Sequence, residues 1–81
     1  MLAMGFREGH AVIHRAEGPG AMSLLHGDGS VASDAVIEVL VMDELAFFAG
    51  DFILRVEHAW QLVQEFARTG RTDTLGVWYG L

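Results

Sequence analysis

The sequence predicts an α+β domain: a mostly antiparallel sheet of four to six strands, one C-terminal amphipathic helix packed on one face, and a last strand. Three observations carry this reading. Val56, Ala59, Trp60, Val63, Phe66 and Ala67 recur at three- and four-residue spacing, with Glu57, Gln61, Gln64, Glu65 and Arg68 mainly between them, which is the pattern of a helix with one buried stripe. Upstream lie short apolar runs, several β-branched, punctuated by glycine turns. No regular alternation of strands with crossover helices occurs, so a parallel α/β sheet is not expected.

Taken in order, Leu2 to Phe6 is a short apolar piece, read as an edge strand or an untethered end. His10 to Arg15 is a strand bounded by Gly9 and by Gly18-Pro19-Gly20, and Ala21 to His26 is its antiparallel partner. Gly27-Asp28-Gly29-Ser30 is a flexible punctuation mark, and Val31 to Asp34 continues as loop. Ala35 to Met42 is the strongest strand signal, apolar on both faces except at Glu38, which places it at the centre of the sheet. Asp43-Glu44 makes a turn. Leu45 to Ala49 fits either a strand or a short helical turn, because its length does not decide between them. Gly50-Asp51 ends it and Phe52-Ile53-Leu54 leads into the helix. No Ser, Thr, Asp or Asn directly precedes Val56, so the helix start lacks a local cap, although Glu57 suits the dipole. Gly70 stops the helix, being the residue that takes the left-handed C′ conformation without steric cost. Leu75 to Tyr79 then reads as a strand, with Leu75, Val77 and Tyr79 on one face and Gly76, Trp78 and Gly80 on the other.

Length and composition bound the function. The chain has 81 residues, room for a single small domain over residues 1–81 that buries roughly 60% of its unfolded surface. It has no cysteine, hence no disulfide framework and no thiolate metal site. No run of about 18 apolar residues is present to span a membrane. Met1 to Glu8 lacks the basic region and long apolar segment of a signal peptide, so cytoplasmic residence is the default expectation. Five arginines, no lysines and eleven acidic residues give a net charge of −6. Nucleic-acid binding is not expected, since no basic block exists to follow a phosphate backbone. An acidic surface suits a cationic protein partner, and equally suits simple solubility.

Enzymatic chemistry finds little support. His10 and His14 sit on a strand, where their spacing leaves them about 13 Å apart, so a shared metal is not expected. His26 and His58 have no ligand triad beside them. Ser23, Ser30 and Ser33 lack a nucleophile elbow, and Gly27-Asp28-Gly29 lacks the lysine and helix of a phosphate loop. Glu38, the one carboxylate within the central strand, is the remaining acid–base candidate, with a histidine as its partner in that reading. No cofactor and no catalytic residue are therefore expected. A small hydrolase or isomerase centred on Glu38 is the weakest reading.

Glu65-Phe66-x-x-Thr69-Gly70, with Trp78 a few residues later, resembles the C-terminal signature of a family of bacterial polymorphic-toxin immunity proteins, the first-numbered immunity family. The resemblance covers only about Arg55 to Leu81. Asp73 stands where that family usually has proline, and Gly76 where a larger apolar residue is common. The resemblance implies an antitoxin with no chemistry of its own, which binds a cognate secreted toxin, a deaminase or nuclease, and occludes its active site. The partner-facing residues expected on that basis are Asp28, Asp34, Glu38, Asp43 and Glu44, for a basic groove, with Arg71, Asp73, Trp78 and Tyr79. Trp60 belongs to the core stripe by its helical spacing. The alternative is a self-associating structural module, a homodimer whose apolar sheet face needs a second copy.

Overall fold

The computed structural model describes residues 2–16, 18, 20–41 and 43–80. Its strands are β1 (Leu2–Arg7), β2 (His10–Ala16), β3 (Met22–Leu25), β4 (Val36–Val41), β5 (Glu44–Ala49), the two-residue β6 (Leu54–Arg55) and β7 (Trp78–Gly80). A single turn of 3₁₀ helix, Gly50–Phe52, precedes β6, and the helix α1 spans Val56–Thr69. The sheet order is β5-β4-β1-β2-β3-β7, with β6 also on β2, and every pairing is antiparallel. The expected α+β class, the single C-terminal helix and the last strand are all present. Pro19 of the expected glycine turn, Met42 at the end of the expected Ala35 to Met42 strand, and the terminal residues 1 and 81 lie outside the described residues.

The organising strand is β2. Ala11, Val12 and Ile13 are fully buried in sequence, because neighbours pair with β2 on both edges and cover both its faces. One face, with Ala11 and Ile13, joins Leu25, Leu54, Ala59 and Leu75, and the helix residues Val56, Leu62, Val63 and Phe66 pack there. On the other face, Val12 meets Val39 and Ile53, flanked by Val31, Ile37, Val41 and Phe48. The second core forms because the sheet curls. The inner side chains of β4 and β5 fold back over β2, and the segments around Val31 and Ile53 close the space beneath.

Several expectations need correction. Leu2 to Phe6 is neither edge nor loose end: it pairs with β2 over six residues and meets β4 at Phe6 and Leu40. Its hairpin turn is Glu8-Gly9, both at positive φ of 52° and 84°, the two-residue geometry that matches strand twist. The Ala35 to Met42 run is not the central strand. β4 lies second from the edge, and its apolar outer face is open to solvent, with Val36 65% exposed. Leu45 to Ala49 resolves as a strand, and it is the edge. Leu75 does not alternate into β7: it is buried in the helix-side core from a loop, while among the described residues Trp78–Gly80 pairs with β3. Trp60 is not core; it stands 51% exposed, whereas Ala59 beside it is fully buried. Each residue turns about 100°, so Ala59 takes the stripe's centre and Trp60 its solvent flank.

The 26–35 segment is not a flexible spacer. Gly27 donates its amide to the Asp51 carbonyl at 2.5 Å and Asp28 to the Ile53 carbonyl at 3.3 Å. A side chain on Gly27 would overlap the Ile53 backbone, and one on Gly50 the Ala32 carbonyl. These two close approaches hold the loop under the second core. Gly27→Ala is therefore expected to lower stability by about 1–3 kcal/mol, read by urea unfolding. Gly29→Ala, with only its φ of 77° to strain and open space around it, should cost less; equal losses would contradict the contact argument.

Candidate functional site

The outer side of β1, β4 and β5 carries an unusual surface. Strand pairing sets Phe6 opposite Leu40 and Leu40 opposite Leu45, so these three form one apolar row across three strands. The next row places Glu38 beside Phe47, and the one beyond it Val36 beside Ala49. Phe6, Val36, Leu40, Leu45 and Phe47 are all exposed, Phe47 to 69%. Helix α1 lies over β2 and β6 on this same side of the sheet, which covers Leu2 and Met4 but leaves the β4–β5 end bare. Arg7 pairs with Glu38 within the patch. Asp43, at φ 68°, and Glu44 are exposed at the tip of the β4–β5 hairpin. The arrangement is an apolar face with an acidic end. It holds no group of three His, Asp or Glu among the described residues suited to a metal ion.

The candidate residues divide among three places. Glu38, Asp43 and Glu44 belong to or border this face. Arg71, Asp73, Trp78 and Tyr79 lie toward the opposite edge of the sheet, where β7 ends it. There Arg71 holds Asp73 at 2.9 Å, which lowers the Asp73 carboxyl and raises the Arg71 guanidinium through that hydrogen bond. Trp78 is partly buried and used internally: its indole N–H donates to the Thr72 carbonyl at 2.9 Å, and the Arg15 guanidinium lies 4.5 Å from its ring centroid. Arg15 also donates to Thr72 Oγ1 at 2.8 Å. Tyr79 faces the other side, with the His26 and Phe52 rings each at 5.6 Å. Asp34 is exposed in the 26–35 loop.

Asp28 has a different role from the one its charge suggested. Its Oδ2 accepts the Arg55 backbone amide at 2.9 Å and faces His58 Nδ1 at 3.2 Å, while Oδ1 accepts the Ser30 amide at 2.9 Å. The missing local helix cap is thus supplied from 27 residues away. The side chain is 12% exposed. Burial pushes its carboxyl up, but hydrogen bonds from Ser30, the Arg55 amide and His58 outweigh that and hold it far below the usual carboxylate range. Asp28 is a structural clip between loop and helix, not a surface charge. His14, buried on the side of β2 opposite the helix, is lowered by desolvation. Strand alternation puts it across the sheet from Glu38, so the two share no pocket.

The residues that sequence reading missed are Phe6, Leu40, Leu45 and Phe47. Runs apolar on both faces look central, and nothing local distinguishes an edge strand with a bare outer face. The clip yields a pH-dependent expectation. A carboxyl depressed in the folded state contributes stability above its unfolded value of about 3.9, and loses it as pH falls through and below that value. Asp28→Asn should destabilise by about 1–2 kcal/mol at pH 7, with the gap narrowing as pH drops below about 4 in denaturant titrations. A gap that does not change with pH would contradict an ionic clip.

No family model matches the chain, and no curated protein and no solved structure matches it.

Proposed function

We infer that the chain is a protein-binding domain without chemistry of its own, docking through the outer face of β1, β4 and β5. The observation that supports this is the contiguous exposed row Phe6, Leu40 and Leu45 with Phe47 beside it. Contiguous apolar surface rimmed by polar groups is a common mark of protein interfaces. The electrostatics favour a cationic partner. Arg7, Arg68 and Arg71 are each held by a carboxylate of the same chain, whereas Asp43 and Glu44 stand exposed together at the β4–β5 tip. The field a partner meets near the hairpin tip is therefore negative, and complementary charge accelerates encounter.

The resemblance of Arg55 to Leu81 to polymorphic-toxin immunity proteins supplies the partner's class: a cognate toxin domain, a deaminase or nuclease with a basic substrate groove. In that reading the apolar row seats at the groove's edge and the acidic tip enters the basic cleft, so substrate is excluded. The helix and Gly70, which carry most of the resemblance, are scaffold for the opposite end of the sheet.

Co-expression with any toxin domain found encoded beside this chain tests the reading. One-to-one co-purification is expected, with an association rate that falls as salt rises. Leu40→Lys with Phe47→Lys should weaken binding by at least about 30-fold, the scale of a lost hot spot, while Arg71→Ala leaves it unchanged. A toxin that remains lethal and does not co-purify would remove the proposal.

A further inference from the structure

The edge of the sheet next to this face has a property of its own. β5 pairs with β4 on one side and, among the described residues, with nothing on the other. Natural edge strands are protected by lysine, proline, bulges, inward charges or a covering segment. β5 reads Glu-Leu-Ala-Phe-Phe-Ala, with a single charge at its first residue. Its register with β4 runs without interruption from Val41 opposite Glu44 to Val36 opposite Ala49, so no bulge twists it away.

The direction of the open backbone groups follows from the hairpin. Val41 and Glu44 close a two-residue connection, and a closing pair of that kind exchanges both its hydrogen bonds. Glu44, Ala46 and Phe48 thus turn their amides and carbonyls toward β4. Leu45, Phe47 and Ala49 turn theirs outward.

We propose that a second copy of this chain pairs with this edge, β5 against β5 and antiparallel, about a two-fold axis at Phe47. The outward groups of Leu45, Phe47 and Ala49 then meet the same groups of the other copy, and the two sheets become one. Side-chain alternation and charge select the register. A two-fold pairing keeps outer residues opposite outer residues, so its axis lies on a residue. Centred on Leu45, the two Glu44 side chains would stand only about 7 Å apart along the strands, within the Debye length of about 8 Å at physiological salt. Centred on Ala46, Glu44 would face the apolar Phe48 of the other copy. Centred on Phe47, the two Glu44 positions are about 20 Å apart, Phe47 meets Phe47, and Leu45 meets Ala49.

The size of this contact sets its strength. A stable interface covers about 800 Å² per partner, which is a sixth of the chain's 5041 Å² accessible surface. Six residues of edge strand fall short of that. The dimer is therefore a concentration-dependent one, and it engages only the β5 margin of the outer face, leaving Phe6 and Leu40 of both copies open. Because it forms with the chain alone, its failure is distinguishable from failure of toxin binding.

Engineered cross-linking reads the register, since the chain has no cysteine. Hydrogen-bonded antiparallel pairs place Cα atoms about 5.5 Å apart, inside the range a disulfide spans. Phe47→Cys should form a disulfide dimer under mild oxidation, and Leu45→Cys should not. Sedimentation equilibrium of the unaltered chain should show a monomer–dimer equilibrium that Phe47→Lys abolishes with the circular dichroism unchanged. A chain that stays monomeric up to about millimolar concentration would overturn the proposal, and this measurement stands even where a variant fails to fold. Equal cross-linking by Leu45→Cys would overturn the register.

Discussion

The fold depends on one strand being enclosed from every direction. Ala11, Val12 and Ile13 have no accessible surface, and they divide between the strand's two faces. Ala11 and Ile13 anchor the core under the helix, and Val12 anchors the core made by the curl of β4 and β5. A small chain gains by using both faces of one strand, because each face removes apolar area from water at about 25 cal/mol per Å². The cost is that one helix and one curl cannot cover everything. The helix shields β2 and its neighbours, and the far end of the same sheet face remains bare.

That imbalance connects scaffold to surface. The connection from β3 to β4 must pass under the sheet to reach the far side of β1, and it is held there by Gly27, Gly50 and the Asp28 clip. Asp28 ties the same connection to the first turn of the helix. Loop, helix start and second core are thus one cooperative unit, which fixes β4 and β5 relative to β2. The exposed Phe6, Leu40, Leu45 and Phe47 therefore stand on paired strands anchored to that frame.

Much of this was legible from local signals. The helix was visible in its period, its end in Gly70, which sits at φ 71° with its amide on the Phe66 carbonyl, and the β2–β3 hairpin in its glycines. What escaped was decided by distant partners. Leu2 to Phe6 became an interior strand because β4 returns beside it. The helix start found its cap in Asp28, whose sequence context of two glycines reads as slack chain. Trp60 and Ala59 compete for one helical position, and the smaller residue fits the close approach to the sheet. The five acidic residues expected to face one basic groove do not form one group: Asp28 is internal, Glu38 pairs with Arg7, Asp34 lies in the loop before β4, and Asp43 and Glu44 share the hairpin end.

On the proposed reading, β4 and β5 present the docking surface while β2 holds the frame. Amide hydrogen exchange, followed on the free chain and on its complex with the partner, tests it most directly. Residues 11–13 should exchange slowest in both states, and protection gained on binding should concentrate in residues 36–49. Protection gained instead across residues 71–79 or along the helix, with 36–49 unchanged, would contradict it.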